Sequence, residues 1–165
     1  MHNLLRLLPL RWYLHLSRLA ARGTLVLVAT VVVESLLISI AISETMVHVL
    51  GFSDQSTLAK YSRAELIVMA LFVAPILETV FLQAIPVAIV RWLDLRDAMR
   101  WIVIVTPFAV GHFYNSFTSG VSAGIVAGAY FGVCYWIYRR QSYWRAIVVT
   151  TCVHFLRNAI ACSLL

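Results

Sequence analysis

Long apolar stretches separated by short polar segments dominate the chain. The apolar stretches lie near residues 24–42, 64–90, 101–118, 121–138 and 146–165. Each is close to the length of about 20 predominantly apolar residues that crosses a bilayer as an α-helix. The pattern therefore predicts five transmembrane helices joined by short loops.

Composition agrees with this pattern and excludes a soluble domain. Hydrophobic residues make up 62% of the 165 residues and charged residues 12%, and the mean hydropathy is +0.88. Soluble domains carry about twice that share of charge, roughly 25%. We therefore expect residues 1–165 to form a single membrane domain, an all-α polytopic transmembrane bundle of about five spans.

The first 23 residues have a different pattern. Arg11, His15, Arg18 and Arg22 recur at helical spacing among leucines and aromatic residues. This spacing predicts an amphipathic helix over residues 1–23 that lies in the membrane interface. The arginines are spread through the segment, so a cleaved signal peptide is not predicted.

Basic residues are concentrated in alternate loops. Arginines precede the first span, follow the second and follow the fourth, whereas the opposite side holds only Lys60 and Arg63. By the positive-inside rule this predicts a multi-pass protein of the cell (inner) membrane, with a cytoplasmic N-terminus and an outside C-terminus. The net charge of +6 is explained by these basic loops, which also suit a surface of anionic lipid. Nucleic-acid binding is therefore not predicted.

Polar side chains interrupt three of the predicted spans at similar depths. Glu78 lies in the second span, His112 in the third, and His154 and Asn158 in the fifth. An ionisable group at this depth is costly, which makes Glu78 a functional candidate by default. Histidine and asparagine also bond helices together, so packing is the competing interpretation for the other three residues. Glu34 in the first span is equally embedded, and both helix pairing and function stay open for it.

The spacing of these residues forms three short motifs. They are Glu78-Thr79-x-x-x-Gln83, Phe108-x-x-x-His112 and His154-x-x-x-Asn158. In order and spacing they resemble the motifs of the CAAX protease and bacteriocin-processing family (the Abi, or type II CAAX prenyl protease, group), which read Glu-Glu-x-x-x-Arg, Phe-x-x-x-His and His-x-x-x-Asn. The resemblance covers residues 64–165, which we expect to be a protease-like core.

The resemblance implies an intramembrane protease, a hydrolase that needs no cofactor. It implies that Glu78 and His112 hold and deprotonate a water, and that His154 and Asn158 face the scissile carbonyl as oxyanion donors. Phe108 is expected to pack the wall of the site. The substrate is expected to be a membrane-associated protein or peptide, such as a leader peptide, a membrane anchor or a C-terminal sorting segment.

Two supporting positions depart from the family pattern. Thr79 stands where the family has a second Glu, and Gln83 stands where it has Arg. The two positions are one helical turn apart, so the family's residues could form an ion pair, and replacing both leaves no unpaired buried charge. We expect Thr79 and Gln83 to form a neutral hydrogen-bonded substitute for that pair.

Two other functions use the same residues. Glu78, His112 and His154 together are a hydrolytic zinc ligand set with one open position for water. These ligands are spread over three helices without a compact His-Glu-x-x-His arrangement, and the resemblance favours a metal-free glutamate mechanism. The non-enzymatic alternative is a bacteriocin-immunity or membrane-scaffold protein that keeps the polar cluster for packing.

Small residues and prolines mark two of the predicted helices. Glycines recur every fourth residue at Gly120, Gly124, Gly128 and Gly132. This smooth stripe predicts close helix packing, either inside the bundle or at a homodimer face, and the oligomeric state stays open. Pro75 and Pro107 each remove a backbone donor close to a motif, which predicts a locally opened helix near the site.

Overall fold

Six helices make up the described part of the chain. The computed structural model describes residues 2–52, 60–95 and 97–164, and within these ranges every regular secondary-structure element is a helix. The helices are α1 (His2–Arg22), α2 (Thr24–Val49), α3 (Arg63–Trp92), α4 (Asp97–Phe113), α5 (Phe117–Arg139) and α6 (Tyr143–Ser163). The predicted all-α helix bundle is confirmed.

Four of these helices, α2, α3, α5 and α6, are long and apolar enough to cross a membrane. The third predicted span is shorter than expected, because α4 has 17 residues and measures about 26 Å, near the lower limit for a crossing. The predicted end of that span at residue 118 is wrong. The Ser116 side chain accepts a hydrogen bond from the Ser119 backbone and starts α5 there. The chain is a multi-pass membrane protein.

Helix α4 nevertheless runs from one end of the bundle to the other. At its start, the Trp101 ring lies 6.4 Å from the Tyr13 ring of α1. At its end, the Phe113 ring lies 5.6 Å from Phe117 at the start of α5. Arg140, just after α5, donates a 3.2 Å hydrogen bond to the Tyr13 hydroxyl. We call the end near Tyr13, Trp101 and Arg140 the basic end, and the opposite end the far end.

Helix α1 is amphipathic, as predicted, and packs across the basic end. Its four basic side chains from Arg11 to Arg22 are exposed, whereas Leu16 is completely buried. The Trp12 ring meets Tyr130 of α5 edge-on, with ring centroids 4.8 Å apart. One face of α1 is therefore part of the core, and the arginines from Arg11 to Arg22 lie on its exposed face.

Helix α5 lies in the middle of the bundle, as the glycine stripe predicted. A Cβ added at Gly124 would lie 2.9 Å from the Ala109 Cα and 2.9 Å from the His112 Cβ. One added at Gly128 would lie 3.0 Å from the Phe108 Cβ. The stripe therefore packs against α4 within the chain, and 67% of the apolar window of α5 is buried.

Helix α3 is irregular and mostly exposed. It contains two π-helical segments, Met69–Val73 and Thr79–Ala84. Pro75 and Pro86 each follow one of these segments within two residues. A proline ring clashes with the carbonyl four residues earlier, and a widened turn relieves that clash. The predicted opening of the helix is confirmed near Pro75 but is wrong near Pro107, which lies inside the uninterrupted α-helix α4. Only 11% of the apolar window of α3 is buried.

Candidate active site

A cavity of about 720 Å³ lies between α3, α4, α5 and α6. All four side chains that the sequence predicted to converge line it, namely Glu78, His112, His154 and Asn158. The cavity extends to the far end of the bundle, where it is lined by the exposed residues Tyr61 and Arg63. Three helices therefore supply polar groups to one space that is reached from the far end.

Glu78 is the carboxylate of this cavity. It ends the short α-helical segment Ala74–Glu78, directly before the second π segment of α3. Its Oε2 lies 3.7 Å from Nε2 of His154, and the Glu78 side chain is 25% exposed against 4% for His154. Within the described residues, Oε2 has no hydrogen-bond partner. The Glu78 carboxylate therefore lines the cavity and is not neutralised by a hydrogen bond to Oε2 from any described residue.

His112 is held by the residue one turn before it. Its Nδ1 lies 3.0 Å from the Phe108 carbonyl oxygen, so this nitrogen carries the proton and donates it. The other nitrogen, Nε2, then has a free lone pair and acts as an acceptor. Phe108 stacks on the imidazole with ring centroids 4.6 Å apart and planes 17° apart. Phe108 is 1% exposed, which agrees with the predicted wall-packing role.

His154 is enclosed by aromatic rings. Its ring centroid lies 4.5 Å from that of Phe131 and 5.7 Å from that of Phe108. Its Nδ1 is buried and has no partner among the described residues. With Nε2 directed towards Glu78, the imidazole has few orientations open to it, so its polar edge is fixed towards the cavity.

Asn158 lies one helical turn after His154 and is anchored to α3. Its Nδ2 donates a 2.8 Å hydrogen bond to the Ala70 carbonyl. That carbonyl is available because of the π segment: the Ala74 backbone N–H bonds to Met69, and the next residue, Pro75, has no N–H. The irregularity of α3 therefore creates the acceptor that positions Asn158.

The predicted hydrogen-bonded pair of Thr79 and Gln83 is wrong. Both side chains are buried, yet the Thr79 hydroxyl and the Gln83 Oε1 have no partners among the described residues. Gln83 instead directs its Nε2 to the Gly128 carbonyl of α5 at 3.5 Å. The physical reason is the π segment Thr79–Ala84, whose wider turn moves residues four apart out of the register they have in an α-helix.

Arg157 is a cavity residue that the sequence interpretation missed. It is 7% exposed, lines the cavity, and donates from Nη2 to the Ser39 hydroxyl of α2 at 2.8 Å. The signal was present, because an arginine inside an apolar span is as costly as Glu78. Arg157 lies on α6 between the two motif residues His154 and Asn158.

Glu34 lies outside the cavity and joins three helices. The Tyr130 hydroxyl of α5 donates to its Oε2 at 2.9 Å, and His15 of α1 lies 3.3 Å from its Oε1. The sequence left both helix pairing and a functional role open for Glu34. These contacts identify helix pairing as its role.

The cavity residues do not fit a structural or catalytic zinc ion in this arrangement. Across the described ranges, no three His, Cys, Asp or Glu side chains are grouped so that they could hold a metal ion. Zinc requires three or four such donors at about 2 Å.

Fold and site together define a class of protein: a multi-pass helical membrane protein with a carboxylate, two imidazoles and an amide around an internal cavity. The family model for type II CAAX prenyl endopeptidase Rce1-like proteins matches residues 61–160, and the chain belongs to this family. The match spans α3 to most of α6 and includes all four residues. The family indicates a CAAX-type intramembrane endopeptidase. Neither a curated protein nor a solved structure matches the chain significantly.

Proposed function

We propose that this protein is a glutamic-type intramembrane endopeptidase that hydrolyses a peptide bond of a membrane-presented protein or peptide. In this mechanism Glu78 and His112 activate a water, and His154 and Asn158 stabilise the oxyanion. The observation that carries the proposal is the meeting of these four side chains in one cavity, inside the region matched by an endopeptidase family.

The geometry supports water activation by Glu78. Its Oε2 and the His154 Nε2 are 3.7 Å apart, beyond direct hydrogen-bond distance, so the carboxylate is not committed to the imidazole and can accept a hydrogen bond from a water in the cavity. The free Nε2 of His112 is a second acceptor for that water. Glu78 takes a proton as the water oxygen attacks the carbonyl carbon, and the proton then passes to the departing amine. General-base catalysis of this kind contributes roughly 10²- to 10⁴-fold.

Donors for the developing oxyanion come from α6. One amide hydrogen of Asn158 is used on Ala70, and the second remains for the substrate. His154 contributes an N–H from a ring fixed by Phe131 and Phe108. Donors held in place away from bulk water are worth about 3 to 4 kcal/mol each in comparable sites.

We further propose a bacterial inner-membrane location with the basic end in the cytoplasm. Arg140 contacts α1 and Arg145 contacts Thr24 at the start of α2, so the basic loops gather at one end, as the positive-inside rule requires. The cavity is lined by exposed residues at the opposite end, from which the peptide enters. As partners we propose membrane lipid and a membrane-associated peptide, such as a leader peptide, a membrane anchor or a C-terminal sorting segment.

The Glu78→Gln variant tests the proposal. It keeps the size of the side chain and removes the base, so we expect cleavage to fall by roughly 10²- to 10⁴-fold while the helical content and thermal unfolding stay unchanged. The measurement is proteomics of N- and C-terminal fragments from cells with and without the variant. Glu34→Gln is the matched control, an embedded carboxylate outside the cavity, and it should leave cleavage intact.

Two experimental outcomes would contradict the proposed function or its mechanism. A phenotype that persists in the Glu78→Gln protein would indicate an immunity or scaffold role. Complete inactivation of the purified protein by a chelator, reversed by zinc, would replace the glutamate mechanism with a metal-dependent one. We expect activity to survive chelation.

A further inference from the structure

Arg157 carries a positive charge inside the bundle without an acidic partner. It is 7% exposed, and across the described ranges no Asp or Glu oxygen lies within 4 Å of its guanidinium. Its Nε is buried without a hydrogen-bond partner. Removing a charge from water is costly unless it is paired, so a guanidinium in this condition has unused binding capacity.

A hydrogen bond to α2, which is itself hydrogen-bonded to α5, fixes the position of the Arg157 guanidinium. Arg157 Nη2 donates to the Ser39 hydroxyl of α2, and that hydroxyl in turn donates to the Ser122 carbonyl of α5. The Ser39 proton is therefore committed, and its oxygen can only accept from Arg157. These two hydrogen bonds hold one edge of the planar Arg157 guanidinium. They leave its other N–H groups for a ligand.

The charges around the cavity favour an anion. Its lining contains Arg157 within the bundle and the exposed Arg63 near the far end, against the single carboxylate of Glu78. Glu78 is close to His154 rather than to Arg157, so the two opposite charges do not form a pair. An anionic group that enters past Arg63 meets an uncompensated cation inside.

We propose that Arg157 forms a carboxylate-binding subsite that anchors the substrate peptide beside the scissile bond. The inference rests on the proposed endopeptidase function and adds a specificity determinant to it. A guanidinium binds a carboxylate through two parallel hydrogen bonds. In a peptide, the carboxylate is either an acidic side chain or the free C-terminus, and the two sources share this chemistry.

Binding of labelled peptides to the full-length Glu78→Gln protein in nanodiscs tests the subsite, because binding in this background does not depend on turnover. The probe is one dansylated apolar decapeptide in three forms: with a free C-terminus, with an amidated C-terminus, and amidated with one internal aspartate. We expect at least one carboxylate form to bind roughly 10- to 100-fold more tightly than the neutral form by fluorescence anisotropy. The form that gains affinity identifies the source of the carboxylate.

Arg157→Gln should abolish this preference, and Arg157→Lys should retain part of it, because lysine keeps the charge but not the planar fork. If the Gln variant does not fold, the Lys variant alone must still reduce the preference. Arg145→Gln is a closely matched control. Arg145 lies on the same helix and also donates to a hydroxyl of α2, that of Thr24 at 3.0 Å, but it lies outside the cavity lining.

Equal affinity for the three peptides would overturn the proposal. So would an Arg157→Gln variant that weakens all three forms equally, since that result indicates a helix-joining role only. Failure of the proposed function is a separate result, because it appears as unchanged cleavage in the Glu78→Gln protein.

Discussion

Helices α5 and α3 both border the cavity, but the rest of the bundle holds them very differently. The apolar window of α5 is 67% buried, and that of α3 is 11% buried. Yet α5 supplies none of the four proposed catalytic side chains, whereas α3 carries Glu78. The densely packed helix thus serves as the support, and the loosely packed helix carries the proposed base.

The loosely packed helix is fixed mainly where the polar groups are. Ala70 accepts from Asn158, Glu78 approaches His154, and Gln83 reaches the Gly128 carbonyl. In a membrane, lipid tails replace apolar contacts at little cost, so such polar links define the position of a helix. The groups proposed for the chemistry also hold α3 in register with α6.

Truncation of one phenylalanine on each helix gives the largest contrast. Phe131 of α5 is 1% exposed and Phe81 of α3 is 56% exposed. We expect Phe131→Ala to lower the free energy of unfolding by about 3 kcal/mol or more, since it leaves a cavity. Phe81→Ala, which leaves none, should change it by less than about 0.5 kcal/mol. Unfolding in mixed micelles measures both, and equal losses would mean that α3 is as tightly packed as α5.

A methyl group added to the glycine stripe tests the support role at smaller scale. Gly124→Ala places a Cβ 2.9 Å from the Ala109 backbone, and overpacking of this kind costs about 1 to 3 kcal/mol. Because the same Cβ would lie 2.9 Å from His112, cleavage should fall as well. Gly111→Ala on α4 is the control, with its nearest neighbour 4.0 Å away. A drop in thermal stability for both variants alike would argue against the close packing of α4 and α5.

The smallest expected effect concerns the side chain of Gln83, which links α3 to α5. The Gln83 to Gly128 contact is long, at 3.5 Å, so Gln83→Leu should cost only about 0.6 kcal/mol. Cleavage should change more than stability does, because Glu78 lies about one turn away on the same helix. The comparison of unfolding midpoints with cleavage rates in one preparation is the measurement. A loss of stability with full activity would assign Gln83 to packing alone.

Periodicity and depth were sufficient to predict most of the fold and the meeting of the cavity residues. The glycine stripe placed α5 inside the bundle because a spacing of four residues defines one helix face. Glu78 and His154 were brought together because each lies near the middle of an apolar run, where a polar group needs an internal partner. His112, expected somewhat past the middle of its span, lies one residue before the end of α4.

The missed features depend on tertiary packing or on helix irregularity. The partners of Glu34 lie on α1 and α5, and neither helix has a sequence spacing that relates it to α2. The Thr79 and Gln83 pairing failed because a π segment cannot be inferred from an apolar pattern that an α-helix satisfies equally well. Arg157 was the exception, since the rule that identified Glu78 applies to it without change.

Helices α3 and α4 differ in length as well as in burial. The 30 residues of α3 span about 45 Å, longer than a hydrocarbon core of about 30 Å, while the 17 residues of α4 span about 26 Å, slightly shorter. In a thin bilayer α3 must tilt further to keep its apolar residues in the hydrocarbon core. In a thick bilayer α4 is too short to cross the core unless the bilayer thins around it. Glu78 and His112 lie on these two helices, so we expect their relative depth, and with it the rate of cleavage, to depend on the acyl-chain length of the surrounding lipid.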